Sequence, residues 1–386
     1  MHYDLIIVGG GLVGSSLALA LRESELKIAL IEASLPQADN PRLFGLTESS
    51  CQSLKNLGLW QQLKEHATPI HQVHVSYQGY FGAVRLNHAD VGLSQLGYVI
   101  PARYLEKILH AEIIQQANIT YYCPATLKNL QQTHVATLNI VTGEGEKNLL
   151  SPIVIAADGA ASTVRSLLNI ETEIVDYQQG AIVTETMLQR SHQHIAYERF
   201  NASGAIAMLP LVGDRCATIW TADQMTIDQL MALSDECFVT ALQKEFGYRL
   251  GRLLGIAKRH AFPLKMIQAK ETHKQCVLLL GNAAHALHPI AAQGFNLALY
   301  EVSALSAAML DKNNKYESFT SNDLQKIIQC TQKQRFFSMQ ASHQLARLPN
   351  YHSLVLNMFL SLGMVGLDIT KPLKSNLIKR ISGLLH

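Results

Sequence analysis

The 386-residue chain has little with which to build a metal site or a disulfide frame. Its six cysteines, Cys51, Cys123, Cys216, Cys237, Cys276 and Cys330, are scattered and include no C-x-x-C pair. That scatter reads as reduced thiols of a cytosolic protein, and no metal is expected. Long apolar runs are missing too. None reaches the roughly 20 residues that a membrane-spanning helix needs, and the longest candidate, residues 353–367, is broken by Asn357, Ser361, Gly363 and Gly366. Met1-His2-Tyr3-Asp4 leads straight toward a strand, without the pattern of a signal peptide. A soluble or at most peripheral cytoplasmic protein is expected. Repeats and low-complexity segments are absent as well. Charged residues make up only 16% against 48% hydrophobic, which leaves ample material for a core and little for disorder. The length suits two domains, or one large domain with an insertion. A net charge of +2 points to no nucleic-acid partner, but its distribution is uneven. Eight Lys or Arg and the single acid Asp368 give residues 325–386 a charge of +7, which leaves −5 for the rest. A basic tail on a mildly acidic body points toward an anionic surface.

What is present is an alternation of two kinds of apolar pattern. Leu5–Val8, Ile153–Ala157 and Val277–Leu280 are short continuous runs, each ending in glycine or Asp-Gly and leading toward a helical pattern. These read as buried parallel strands of a doubly wound sheet assembled from distant segments. Lys27–Glu32 is a fourth, completing a βαβ unit with a helix over residues 12–22. By contrast His71–Tyr77, Ala181–Thr186, His194–Phe200, Ala205–Leu211 and Arg215–Thr221 alternate, as half-buried antiparallel strands do. The pattern predicts a sheet-based substrate domain, residues 70–100 and 175–265, inserted into a dinucleotide domain of residues 1–69, 101–174 and 266–335. Residues 336–386 are expected to be helical.

Three motifs carry chemistry. Gly9-Gly10-Gly11-Leu12-Val13-Gly14 follows a strand and opens a helix. Gly9 permits the tight turn, Gly11 lets the backbone approach a pyrophosphate, and Gly14 allows close helix packing. The phosphates then face free amides at a helix N-terminus. Glu32, at the end of the next strand, is placed for a ribose hydroxyl pair. The second motif, Asp158-Gly159-Ala160-Ala161-Ser162-Thr163-Val164-Arg165, reads equally as an ordinary capped strand-to-helix turn. The third runs from Gly281-Asn282-Ala283-Ala284-His285 through His288-Pro289 to Gln293-Gly294-Phe295-Asn296. It suits a loop whose backbone touches a flat polar ring.

In this order the three motifs resemble those of the FAD-dependent aromatic hydroxylases of the para-hydroxybenzoate hydroxylase type. Within that group the segment His288–Asn296 is similar to the signature of the ubiquinone-biosynthesis hydroxylases. Tyr197-Glu198-Arg199-Phe200, Ala207-Met208-Leu209-Pro210, residues 246–251 and Lys258-Arg259 are most similar to the enzymes that act on 2-polyprenyl-6-methoxyphenol. The resemblance spans nearly the whole chain and is weakest in the last fifty residues. It implies an α/β fold: a Rossmann-like FAD-binding domain, an inserted mainly antiparallel β-sheet substrate domain and a helical C-terminus. It implies that Gly9, Gly11, Gly14 and Glu32 hold the ADP half of FAD, and that Arg42 and Arg103 flank the cofactor. Both arginines read equally as solvated surface residues. Asp158 would sit near the pyrophosphate, Asn282 at the ribityl chain, and Pro289, Gly294, Phe295 and Asn296 along the isoalloxazine ring.

The activity so implied is hydroxylation of a polyprenyl phenol with NAD(P)H and O2 through a flavin hydroperoxide, at a membrane surface or within a ubiquinone-biosynthesis complex. Its alternatives are hydroxylation of a soluble aromatic, and a flavin-retaining accessory subunit with reduced catalysis. The second follows from departures from the family pattern: Asn282 and Glu301 stand where aspartates are usual, and Ala292 and Ala298 where glycines are. No residue stands out as the catalytic base. His285 and His288 lie near the flavin loop, where a histidine commonly orients the loop. The C-terminal apolar residues Leu373, Leu377, Ile378, Ile381, Leu384 and Leu385, interleaved with Lys374, Lys379 and Arg380, fit two arrangements. One is a basic helix lying on the inner face of the cytoplasmic membrane, and the other is a terminal helix docked on the body.

Overall fold

The computed structural model describes every residue except 37–39, 134, 289–292, 315–319, 348–362 and 385–386. Leu5–Val8, Ile28–Ile31 and Val154–Ala156 are buried at every position, as strands covered on both faces must be. They lie in a six-stranded sheet ordered His273–Lys274, Val277–Leu279, Val154–Ala156, Leu5–Val8, Ile28–Ile31, Ile119–Tyr122. All neighbours are parallel except the antiparallel edge strand His273–Lys274. Ile6 is thus paired with Val154, and Val154 with Val277, so segments far apart in sequence share one edge. Helices Leu12–Ala20, Ala102–Ile113 and Gln293–Asn314 cover one face, packing Leu17, Leu105 and Leu299 on Leu5, Ile7 and Leu30. A small antiparallel sheet, Ala125–Gln132, Ala136–Thr142 and Gly145–Ser151, covers the other through Leu127, Leu138 and Leu149.

The alternating segments form a nine-stranded sheet. Its path is His285–Ala286, His260–Ala269, Thr172–Leu188, Arg215–Asp223, Ala205–Leu211, Ile195–Phe200, Gln72–Tyr77 and Ala83–Asn87, with Leu253–Ile256 also paired to Thr172–Leu188. One pairing is parallel, Ile195–Phe200 on Gln72–Tyr77, and the others are antiparallel. Thr172–Leu188 and His260–Ala269 run on past residues 175 and 265, so those boundary residues fall within strands, not linkers. The outer face, with Ile182, Met208 and Trp220, is buried by helices Gln224–Ala232 and Asp235–Phe246 through Ile227, Phe238 and Leu242. The inner face turns toward the first domain: Ala196, Leu211 and Ala217 meet Ile70 and Val99. Those two belong to a connecting three-stranded sheet of Leu43–Thr47, Gly97–Pro101 and Thr68–Ile70.

Helices follow at Ser321–Arg347, 363–369 and Lys371–Ile381. The last is docked on the body: Ile378 is 1% exposed and shares a core with Val84, Leu86, Met364 and Leu367. Lys374 pairs with Asp90 at 3.1 Å, and Arg85 with Asp368 at 3.1 Å. Leu373, on the same helix, stays exposed. The outer face of the large sheet rests heavily on Phe238, which is fully buried with its ring 5.6 Å from Trp220. Phe238→Ala is expected to lower the unfolding free energy by about 3–5 kcal/mol, read from urea titrations followed by tryptophan fluorescence.

Candidate active site

The site begins where Leu5–Val8 gives way to helix Leu12–Ala20. Gly9 has φ +102°, and a Cβ there would collide with the Ala157 carbonyl and come 2.7 Å from the Asp158 Cα. At Gly14 a Cβ would fall on the Gly9 carbonyl oxygen. Both positions therefore demand glycine, one for its conformation and its neighbours, the other for contact alone. On the Gly11 side no atom lies within 4 Å of a built Cβ. The helix has no side-chain cap at Gly11, so its first amides are left for another acceptor. Beside this turn is a cleft of about 220 Å³ that Gly10, Gly11, Glu32, Arg42, Glu106 and Tyr121 help to line. Glu32 accepts from the Ser34 amide at 3.1 Å. Arg42 is held by Glu106 at 3.0 Å and by the Asn40 side chain at 3.2 Å. The structure thus brings Arg42 to the cleft of the glycine turn and Glu32.

The other two motifs converge on the same edge. Asp158 follows the neighbouring strand and caps the short helix Thr163–Leu167 with one oxygen, which accepts from the Val164 amide at 3.1 Å. Its other oxygen is buried and has no hydrogen-bond partner among the described residues. Gly281 follows the third strand and packs on Val13 of the first helix. Arg165 ties the motifs together: it is buried and donates to the Ala283 carbonyl at 2.9 Å and the Ala160 carbonyl at 2.6 Å. Its motif was visible in sequence, but its part in joining two loops was not. Asn282 is exposed at the start of the late segment.

Farther along, Gly294 and Phe295 open the helix Gln293–Asn314, and Phe295 packs on Phe44 with ring centroids 4.9 Å apart. Asn296 accepts from the Thr47 amide at 3.0 Å and donates to the Gly45 carbonyl at 2.8 Å. This buried amide therefore pins the strand Leu43–Thr47 to the helix. Pro289 and Ala292 lie outside the described residues. Arg103 is placed elsewhere: it pairs with Glu185 at 3.3 Å in a separate cleft of about 140 Å³, beside Tyr104 and Arg215. Its position on helix Ala102–Ile113 carries it toward the large sheet and away from the glycine turn.

Three further groups lie under the late loop. His285 and Glu301 meet at 2.9 Å, and Arg335 reaches the same Glu301 oxygen at 2.8 Å. Burial alone would raise the Glu301 carboxyl, but His285 and Arg335 outweigh it and hold the group below its ordinary value. Glu301 thus anchors the late loop to the helix Ser321–Arg347 through one carboxylate oxygen, while its other oxygen is buried with no hydrogen-bond partner among the described residues. Nothing in the spacing of residues 285, 301 and 335 announced this. The His288 ring stands edge-on to Tyr177 at 5.1 Å, and the Tyr177 hydroxyl is 2.9 Å from Nδ1 of His343. Burial depresses the His288 pKa to about 4, so its ring is neutral near pH 7. Tyr177 reaches it from a bulge in Thr172–Leu188, between Asp176 and Gln179.

A glycine turn closed to any Cβ, an open side at Gly11 and a buried carboxylate oxygen lacking a partner fit a flavin dinucleotide laid across the ends of these strands. The fold and site define a flavin-dependent monooxygenase. The chain belongs to the FAD binding domain family, whose profile matches residues 2–314, and FAD is its cofactor. It is 29% identical to the ubiquinone hydroxylase UbiL of Rhodospirillum rubrum, over 80% of this chain and 72% of that protein. It is 26% identical to the 3-demethoxyubiquinol 3-hydroxylase of Escherichia coli, over 99% of this chain and 98% of that one. Among solved structures, the p-nitrophenol 4-monooxygenase of Pseudomonas putida shares the fold, with a TM-score of 0.83 over 99% of this chain and 98% of that chain at 14% identity.

Two outcomes are expected. Gly14→Ala pushes a methyl group onto the Gly9 carbonyl, and the purified variant should lose most of its bound flavin absorbance. Glu301→Gln strips the counter-charge from Arg335 and should destabilise by about 3–5 kcal/mol near pH 7. Because the native pKa is lowered, this wild-type advantage is full above the ordinary value of 4.5. It disappears as pH falls through the native value, which melting curves across pH would show.

Proposed function

We propose that the chain hydroxylates the aromatic ring of a polyprenyl phenol of the 2-polyprenyl-6-methoxyphenol type in ubiquinone biosynthesis, with NAD(P)H as reductant and O2 as oxygen donor. The observation that carries this reading is the inner face of the nine-stranded sheet. Val73, Val75, Phe200, Ala205 and Leu209 make it apolar, and Met364, Leu367 and Leu377 close it at one edge. Such a surface suits an isoprenoid chain far better than a small polar aromatic. Two relatives bear the names ubiquinone hydroxylase and 3-demethoxyubiquinol 3-hydroxylase, which supports the same substrate class.

In this reading Gly9, Gly11, Gly14 and Glu32 hold the ADP half of FAD, with Arg42 across the cleft and Asp158 near the pyrophosphate. Asn282 would meet the ribityl chain, and Pro289, Gly294, Phe295 and Asn296 would follow the ring. Bound FAD supplies the electron transfer and oxygen activation. The protein's part is to position the phenol and exclude water. Asn296 holds the connecting strand, and Glu301 the late loop, so that this geometry persists. The basic residues after 325, with exposed Phe336, Phe337 and Leu373, support peripheral attachment to an anionic membrane, where a polyprenyl phenol is dissolved.

The test is NAD(P)H oxidation by the purified flavoprotein, with and without a prenylated phenol, with product identified by mass. Substrate-stimulated oxidation and a product heavier by one oxygen are expected. Equal kcat/KM for the unprenylated phenol would favour the soluble-aromatic alternative. Bound flavin without turnover of any phenol would favour the accessory subunit. Co-sedimentation with anionic vesicles, weakening as salt rises, is the expected sign of peripheral attachment.

A further inference from the structure

One carboxyl stands alone on the inner face of the large sheet. Glu198 lies in the strand Ile195–Phe200, flanked in register by Val75 on one side and Ala207 on the other. Side chains alternate along a strand. Tyr197 faces outward, with its ring 5.7 Å from Phe246, while Ala196 and Phe200 belong to inner-face clusters. Glu198 therefore points inward, between them. The floor around it is built of Val73, Val75, Ala205 and Ala207, and the C-terminal helices wall it through Met364 and Leu377.

Other charged groups around this face are paired. Glu185 pairs with Arg103 at 3.3 Å and Arg215 at 3.0 Å. Asp368 pairs with Arg85 at 3.1 Å and Lys374 at 3.5 Å. Arg380 lies over Phe337, and Tyr77 stands edge-on to Tyr80. Among the described residues Glu198 has neither a hydrogen bond nor an ion pair. A carboxylate left in apolar surroundings without a donor is costly, and a structural role would have supplied one. Burial with no compensating charge raises its pKa to about 7, which lets it exchange a proton near neutral pH.

We propose that Glu198 is the catalytic base of the hydroxylation: its carboxylate takes the proton of the substrate's phenolic hydroxyl. The O–H bond breaks toward oxygen, the electron pair stays on the phenol oxygen, and the phenolate donates into the ring carbon that receives oxygen. When the ring regains its aromaticity, the carbon that received oxygen releases its hydrogen as a proton, and the phenol oxygen takes its own proton back from Glu198. The second atom of O2, reduced by the two electrons of NAD(P)H, leaves as water. The inference rests on the phenol-hydroxylase reading above and adds the residue that activates the ring. It also accounts for an acid on a hydrophobic floor: the hydroxyl is the one polar group that a prenylated ring must bring there.

The test uses the flavin-loaded protein and its Glu198→Gln variant, which keeps shape and hydrogen bonding but cannot accept the proton. Retained flavin absorbance shows that the variant is folded. Phenol affinity, read from the perturbed flavin spectrum, is expected to stay within about tenfold. Product formation near pH 7 should fall by about 10²–10⁴-fold. The wild-type rise in rate centred near pH 7 should vanish, and the residual rate should climb only toward the phenol's own ionisation. Glu198→Asp, with the carboxyl one methylene back, should recover part of the loss.

A readout independent of turnover is stability against pH. Because the native pKa is raised above the ordinary 4.5, the cost of the desolvated carboxylate is absent below that value and full above about 7. The melting temperature of Glu198→Gln should therefore pull ahead of wild type across that window. Parallel melting curves, or equal rates and pH profiles in wild type and Glu198→Gln, overturn the assignment alone. Absence of any phenol turnover by wild type overturns the underlying reading and the assignment with it.

Discussion

The parallel contact between Leu5–Val8 and Val154–Ala156 is the constraint on which the rest of the site depends. It presses the turn after Val8 against the backbone after Ala156 so closely that Gly9 has no room for a side chain. Once that contact is made, the free amides of the first helix, the Asp158 carboxylate and, one strand further, Gly281 must share a single edge. Arg165 then locks two of these loops by donating to both. The sheet needs no dedicated cofactor domain, because its strand ends are themselves the cradle.

Two glutamates, Glu301 buried and Glu198 half-buried, show how differently the fold treats the same side chain. Glu301 is surrounded by His285 and Arg335, stays ionised and serves as an anchor. Glu198 is surrounded by Val75, Ala207 and the floor of the large sheet and is pushed toward neutrality. Partners decide between the two roles, since burial raises both carboxyls. A polar network with its members paired adds rigidity, whereas an unpaired group keeps a bond in reserve for a ligand.

The fold was legible where the period of the sequence was clean. Continuous apolar runs gave the parallel strands, alternation gave the large sheet, and the G-x-G-x-x-G turn fixed the entry to the first helix. Less was legible where side chains meet across long separations. Arg42 could be read as a surface residue or a cleft residue, and only the folding of residues 40–42 onto Glu106 decided it. Arg103 reads as a neighbour of Arg42 in role, yet the helix it sits on turns it toward Glu185. Glu198 sat within a segment used for recognition and still carried no signal, because a lone acid in an alternating strand normally marks the solvent face. Its placement follows from which face of the sheet turns inward, and that is set by Phe238 and Trp220 on the other side.

The bulge between Asp176 and Gln179 interrupts the longest strand of the large sheet, with Gln178 at φ +54°. A paired sheet resists bending along its strands, and a bulge is where the strand turns. Here that softer point carries Tyr177, against which the late loop and the helix Ser321–Arg347 both rest through His288 and His343. Through this one phenol ring the large sheet, the late loop and the helix Ser321–Arg347 are joined, so the floor of the sheet and the strand-end cradle share a point of support.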